Sequence, residues 1–272
     1  VDQYIGGAEH ATMHLLYARF ITKALNKLKF IDFKEPFTHL YHQGIITKDG
    51  AKMSKSRGNT VSPDKFLEQY GSDTFRCYLM FMGPYDEGGD WNDKGIKGVS
   101  KFLSRAYRLS HNVATYEESS EDLFMLHSTI KSVSSDLSEM KFNTALSRLM
   151  EFVNYFYQKG LTESSKSIFI QLLAPLAPHL SEELWSGRNT QSVFNTSWPI
   201  FEAKYLEKDT MEIVVQVNGK LRANIEVDKN IEKDTLIQIS KENQNVSKFL
   251  LNKEIIREIY VPNRIINIVI KE

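Results

Sequence analysis

The chain has 272 residues with 34 basic and 34 acidic side chains, so no bulk field draws it to a polyanion, and any nucleic acid must be met by locally clustered charge. An apolar share of 42% and a charged share of 25% fit a soluble protein with real cores, and the length admits two or three domains. The one cysteine, Cys77, excludes internal disulfides and points to a reducing compartment, most simply the cytosol, while no apolar run approaches a membrane span. The chain opens inside a strand pattern without an initiator methionine and is therefore expected to belong to something longer.

Val1 to Ile5 is a short β-prone run ending at Gly6-Gly7, after which Glu9, His10, Leu15, Leu16 and Phe20 begin a helical pattern. A strand, a glycine turn and a helix start make a nucleotide edge, because bare backbone lets a ribose approach and the first helical N–H groups are unpaired. A carboxylate at Glu9 can accept hydrogen bonds from ribose hydroxyls. His10 and His14 stand four apart on the expected helix face, but no third ligand follows and the order is not that of a zinc helix, so no metal site is assigned. Pro36 to Ile46 reads as a strand and turn, with Ile45 and Ile46 either packing on a sheet or meeting a nucleobase.

Lys52-Met53-Ser54-Lys55-Ser56, bracketed by Gly50 and by Arg57-Gly58-Asn59, follows. Two lysines three apart among small residues can bring both ammonium groups to one polyphosphate, and Lys suits a phosphate that moves because it is a point charge on a flexible stem. Gly50 and Gly58 fit as hinges of that loop. From Lys23 to Arg57 there are eight basic residues against three acidic ones. Ser62-Pro63 starts a helical stretch reaching Met82, broken by Gly71, in which Asp73 and Arg76 could pair.

From about Asn92 to Trp185 the period is helical, with stripes beginning at Ile96, Leu123, Phe142 and Ile168, the last interrupted by Pro175 and Pro178. Short connections imply an antiparallel bundle, and no titratable cluster is expected to face inward. Residues 187–210 read as a linker. Glu212–Val217 and Leu221–Val227 alternate around Asn218-Gly219, a hairpin signal; Thr235–Leu251 is helical; Ile255–Val261 and Ile265–Ile270 form a second hairpin around Pro262-Asn263. From Glu212 to Glu272 there are ten basic and nine acidic residues, so phosphate contacts would rest on few side chains.

The string from Lys52 to Asn59 resembles the second signature of class I aminoacyl-tRNA synthetases, and residues 4 to 20, Tyr-Ile-Gly-Gly-Ala-Glu-His-Ala-Thr-Met-His-Leu-Leu-Tyr-Ala-Arg-Phe, resemble the leucyl version of their adenosine-binding turn. Residues 172 to 185 resemble the bundle of the leucine, isoleucine and valine enzymes, and Val-Val-Gln-Val-Asn-Gly-Lys-Leu-Arg resembles the terminal domain of bacterial leucyl enzymes, which contacts the tRNA elbow. The resemblance implies a multidomain fold of α/β, all-α and α+β parts: residues 1–90, the second half of a class I Rossmann-type catalytic domain; 91–186, an anticodon-binding-type helix bundle; 187–210, a linker; and 211–272, a small C-terminal α+β domain.

It further implies ATP-dependent leucine activation and transfer to tRNA(Leu), with ATP and Mg²⁺ as cofactors, in the cytoplasm and without a membrane partner. Lys52 and Lys55 are carried over as catalytic, contacting the leaving phosphates. Gly6, Gly7, Glu9, His10, Ile45, Ile46, Met53 and Ser54 complete the ATP site, with Glu9 and Lys55 facing one cavity. His14 would line the leucine pocket, and Lys220, Arg222 and Arg264 would touch tRNA. The first signature of the family, the amino half of its nucleotide fold and its editing domain are absent from this sequence, so the missing N-terminal half is an expected partner. Two alternatives stay open: a valyl or isoleucyl fragment, against which the Gly-Gly-x-Glu-His turn argues, and a noncatalytic tRNA-binding or assembly subunit of a split synthetase.

Overall fold

The computed structural model describes residues 1–187, 190–206, 210–229, 231–262 and 264–271. They group into two compact units, Val1–Glu202 and Ala203–Glu272.

In the first unit, strand β1 (Gln3–Gly7) pairs in parallel with β2 (His39–Gln43), placing Gly6 opposite His42. A parallel pair needs a crossover, and helix α1 (His14–Lys27) supplies it. The expected helix from Glu9 is in fact a 3₁₀ turn over Ala8–Thr12, a break at Met13 (φ −117°, ψ −109°), and then α1. The placing of His10 and His14 on one helical face is corrected by this break, since a shared face at four-residue spacing needs an unbroken helix.

Strands β3 (Ile45–Lys48), β4 (Ala51–Lys52) and β5 (Gly88–Asp90) form a second sheet in the order β4-β3-β5, antiparallel on one side of β3 and parallel on the other. Asp49 (φ 55°) and Gly50 (φ 70°) make the two-residue turn between β3 and β4, whose left-handed pair matches the twist of a tight hairpin. At the root of β3 backbone meets backbone: a Cβ at Gly44 would strike the Gly88 amide, and one at Gly88 the Ile45 carbonyl. Helices α2 (Asp64–Tyr70) and α3 (Ser72–Phe81) are divided at Gly71 (φ 79°), as the sequence predicts. The predicted Asp73–Arg76 pair does not form. Asp73 turns instead to the segment after Pro178, accepting from the Leu180 N–H at 2.7 Å and pairing with His179 Nδ1 at 2.8 Å, while Arg76 donates to the Pro175 carbonyl.

Helices α4 (Ile96–His111), α5 (Ser120–Ser138), α6 (Phe142–Phe156), α7 (Glu163–Leu173) and α8 (Pro178–Ser186) bury the apolar stripes read from the sequence. Phe152 and Phe169 stack within that core at 5.1 Å and 7°. The prolines restart the last helix, with Pro178 in its first turn, where the missing N–H costs no bond. The core runs without interruption from Phe66, Cys77, Tyr78 and Trp91 into the bundle, so the boundary drawn at 90/91 falls inside one apolar interior.

One expectation for the bundle is corrected: a titratable group does face inward. Asp122 is buried at the start of α5, where it closes a capping box with Ser119, accepts from Tyr155 at 3.1 Å and meets Lys159 at 2.5 Å. Burial alone would raise its pKa, but the hydrogen bonds from Lys159, Ser119 and Tyr155 outweigh it and hold the carboxyl below its ordinary value. Part of the predicted linker is also packed. Trp198 donates to Ser134 Oγ at 2.8 Å, the Glu202 N–H donates to His127 Nδ1 at 3.0 Å, and Gln171 donates to Thr196 Oγ1 at 2.9 Å.

In the second unit, β6 (Thr210–Val217) and β7 (Lys220–Asp228) form the predicted hairpin, with Asn218 (φ 48°) and Gly219 (φ 75°) at its turn. The predicted helix 235–251 is two helices, α9 (Lys233–Glu242) and α10 (Gln244–Leu250). They are separated at Asn243, whose extended backbone ends one and whose side chain accepts from the Asn245 N–H to start the other. Strands β8 (Ile255–Val261) and β9 (Ile265–Ile270) complete a sheet of order β7-β6-β9-β8, in which β6 and β9 run parallel. Asn263, placed by the sequence in their turn, lies outside the described residues. Ile213, Val215, Leu236, Val246, Ile266 and Ile268 fill the core between sheet and helices.

Candidate functional site

The lysine loop leaves the β3–β4 hairpin and is fastened at two points. At its root, Asp90 at the end of β5 accepts from Thr47 Oγ1 at 2.6 Å and from the Gly50 N–H at 2.9 Å. The Thr47 hydroxyl first, and then the Gly50 amide, hold this carboxyl below its ordinary pKa, keeping it an anion and therefore an acceptor. Further along, the Asn59 side chain spans the loop, accepting from the Ser54 N–H at 2.8 Å and donating to the Lys52 carbonyl at 3.3 Å. Ser54 Oγ and Ser56 Oγ lie 2.8 Å apart, and a 3₁₀ turn over Lys55–Arg57 ends at Gly58 (φ 66°).

This backbone arrangement divides the side chains. Met53 and Ile46 pack on the large core, whereas Ile45 is about half exposed. Lys52 and Lys55 are exposed and meet no anionic side chain among the described residues. Two cations on a fixed backbone, with nothing nearby to neutralise them, can turn to an incoming polyphosphate without breaking an existing ion pair.

The glycine turn is built differently. Glu9 folds its carboxyl against the Gly7 α-carbon, in the space a Cβ would take, and Glu9 itself remains exposed. The His10 ring lies beside Gly6, and His42 stands across from Gly6 on β2. Both have a buried Nδ1 without a hydrogen-bond partner among the described residues. A buried ring nitrogen left unpaired costs about 1–3 kcal/mol, and a bound polar group would recover it. His14 is exposed, and its Nδ1 lies 3.0 Å from the Tyr4 hydroxyl with the two rings parallel. Neither Glu9 nor Lys55, expected to face one crevice, lines the cavities bounded by α3 and α4, by residues 43–46 and 80–85, or by residues 26–33.

Among the residues assigned to tRNA, Lys220 begins β7 and is exposed, but the Arg222 guanidinium lies 3.7 Å from the Phe249 ring centroid and its Nε is buried without a hydrogen-bond partner among the described residues. Arg264 precedes β9, at the end opposite to the one that meets the Asn218-Gly219 turn. The sequence offered no sign of Asp90 or of the unpaired ring nitrogens. Asp90 reaches the loop only through the pairing of β3 with β5, 43 residues from Thr47. Among the described residues no helix is long and apolar enough to cross a membrane.

The family description "tRNA synthetases class I (I, L, M and V)" matches residues 12–91, and "Anticodon-binding domain of tRNA ligase" matches residues 123–237. Leucine–tRNA ligases of Caldanaerobacter subterraneus subsp. tengcongensis and Clostridium kluyveri are each 45% identical, over 99% and 100% of this chain and 36% of their own length. The solved ternary complex of an Agrobacterium radiobacter LeuRS with tRNA and LeuAMS superposes with a TM-score of 0.74 at 34% identity, covering all of this chain and 38% of that one. The chain thus spans a little over a third of the relatives it matches, and within that span it is similar from end to end to leucine–tRNA ligases, class I tRNA synthetases among them.

Proposed function

We propose that these residues form the part of a leucine–tRNA ligase that carries its lysine loop, its adenosine turn, its helix bundle and a tRNA-contacting terminal module. The complete enzyme activates leucine with ATP and transfers it to the terminal ribose of tRNA(Leu). In the first step the leucine carboxylate attacks the α-phosphate and pyrophosphate leaves. Negative charge then builds on the departing phosphates. Lys52 and Lys55 meet that charge, and because Asn59 and Asp90 hold the loop backbone, only the two side chains need to reorganise. Glu9 receives the ribose hydroxyls across Gly6 and Gly7, and the unpaired ring nitrogen of His10 is available to the same ligand. Mg²⁺ carried with ATP would supply further neutralisation of the phosphates. The cytoplasm is the compartment where such an enzyme works.

The observation that carries this reading is the pair of exposed, unneutralised ammonium groups on a doubly fastened loop. The test is leucine-dependent pyrophosphate exchange in the protein that carries these 272 residues together with the rest of the catalytic fold. Lys55→Ala is expected to lower exchange by about 10² to 10³-fold, the size of losing one donor that acts on developing charge, with the fold unchanged. An unchanged exchange rate overturns the assignment. The 272 residues alone are expected to give negligible exchange, because the glycine turn sits in a two-stranded sheet with exposed apolar faces. A noncatalytic subunit would instead show no ATP-dependent protection of residues 50–59.

A further inference from the structure

A cavity of about 330 Å³ lies beside the root of β3, walled by α3, by the turn that follows α3 and by Gly44 and Gly88. Part of that wall is main chain in close contact: a Cβ at Gly44 would strike the Gly88 amide, and one at Gly83 the Gly88 carbonyl oxygen. Backbone packed this closely has no slack with which to fill the space, so the cavity keeps its shape. Ile46, Leu79, Met80 and Met82 give it an apolar lining, and the same four side chains pack on the large core.

A few polar groups enter this lining. Tyr85 is fixed by edge-on contact with the Phe142 ring at 5.4 Å, and its hydroxyl donates to Gln43 Oε1 at 3.2 Å. Arg76 makes one long bond, from a single guanidinium nitrogen to the Pro175 carbonyl at 3.4 Å, and has no ion pair among the described residues. The main-chain N–H of Gly83, also in the wall, has no hydrogen-bond partner among the described residues. Among those residues no acidic side chain lines the space.

We propose that this cavity binds a small apolar monocarboxylate. A guanidinium with most of its N–H groups free matches a carboxylate, which it can hold through two parallel bonds. One cation balances one charge, which does not suit a polyphosphate. An ammonium group would enter with no anion to meet it, and that cost disfavours a zwitterionic amino acid. Arg76 is exposed, so the carboxylate stays near solvent while the alkyl part lies along Ile46, Leu79 and the two methionines, whose thioethers adapt to irregular shapes. At the roughly 30 Å³ that each water takes in the liquid, the volume admits about ten non-hydrogen atoms. Neither Lys52 nor Lys55 lines this cavity, and the proposal does not depend on the function proposed above.

The test uses the protein that carries this chain, with hexanoate as the probe and calorimetric titration as the readout. Hexanoate is expected to bind with a dissociation constant of about 0.1–1 mM, as suits so small a ligand. Hexanol and hexylamine, of the same length without the carboxylate, should bind at least about tenfold more weakly. With methionine methyls labelled by ¹³C, hexanoate should shift Met80 and Met82 and leave Met13 and Met53 in place. Saturating leucine should not displace it. R76Q should weaken hexanoate at least about tenfold and leave hexanol unchanged, while R76K, which keeps the charge and loses the fork, should fall between. Equal binding of hexanoate and hexanol by the unsubstituted protein overturns the proposal, whether or not the variants fold. Absence of binding overturns it too, as does displacement by leucine or a shift spread over methionines throughout the chain.

Discussion

The β1–α1–β2 segment and the helix bundle carry equally regular apolar patterns and use them in opposite ways. On α6, Leu146, Leu149, Phe152, Val153 and Phe156 are fully buried. On α1 the only buried residue is Thr22, while Leu16, Tyr17, Phe20 and Ile21 each keep more than half of their surface in solvent. Periodicity tells which side chains need cover but not whether this chain provides it. The bundle finds its cover within this chain, sharing one core with α2 and α3, and the segment bearing the glycine turn is a surface with its apolar side open. Open apolar area of that extent is an interaction face.

The largest expected effect tests the bundle's half of the contrast. Phe152→Ala should cost about 3–5 kcal/mol in denaturant unfolding, because it leaves a cavity against Phe156 and Phe169. Phe20→Ala should cost under about 0.5 kcal/mol in the 272-residue chain, and several times more in a longer protein that covers α1. Equal costs in the shorter chain would erase the contrast. Next in size, Asp122→Asn should remove about 2–3 kcal/mol by breaking charge-assisted bonds to Lys159 and Tyr155.

The pH dependence of that site has a definite sign. Asp122 has a lowered pKa in the folded state, so its contribution is complete above the ordinary carboxylate value near 3.8 and is lost as pH falls through the lowered one. Asp122→Asn should flatten the acid limb of the stability profile, and an unaltered limb would count against the ion pair. Smaller still in its effect on folding is Asp90→Asn, which should leave unfolding unchanged yet lower pyrophosphate exchange by up to about a hundredfold through a misplaced loop. Thr47→Val should act in the same direction and more weakly. Least of all, Glu35→Gln breaks an exposed pair with Arg19 and Lys23 that holds Glu35 down to about 2, and should leave the thermal midpoint where it was.

Where local chemistry decides, the sequence was readable. Asn218-Gly219 forced one hairpin, Gly71 divided two helices, Pro178 restarted another, and the stripes from Ile96 to Phe169 became the core. Where a partner far along the chain decides, it was not. Asp73 looked ready to pair with Arg76 one turn away, and instead caps α8 across more than a hundred residues. The break at Met13 and the switch at Asn243 left no glycine or proline to announce them. In the candidate site the two lysines and the glycine turn were legible as motifs. Their fastening by Asp90, and the unpaired nitrogens of His10 and His42, depend on strand pairing and became visible only in three dimensions.

The loop's root and its tip differ in how much substitution they can absorb. At Gly44 and Gly88 main chain presses on main chain, whereas the Arg57 side chain at the tip stands in solvent. Saturation mutagenesis should therefore return almost nothing at the base of β3 and a broad set of residues at the exposed position Arg57. A fluorophore attached at residue 57 would ride on the loop without entering its fastenings, and, on the function proposed above, its depolarisation would change when nucleotide binds.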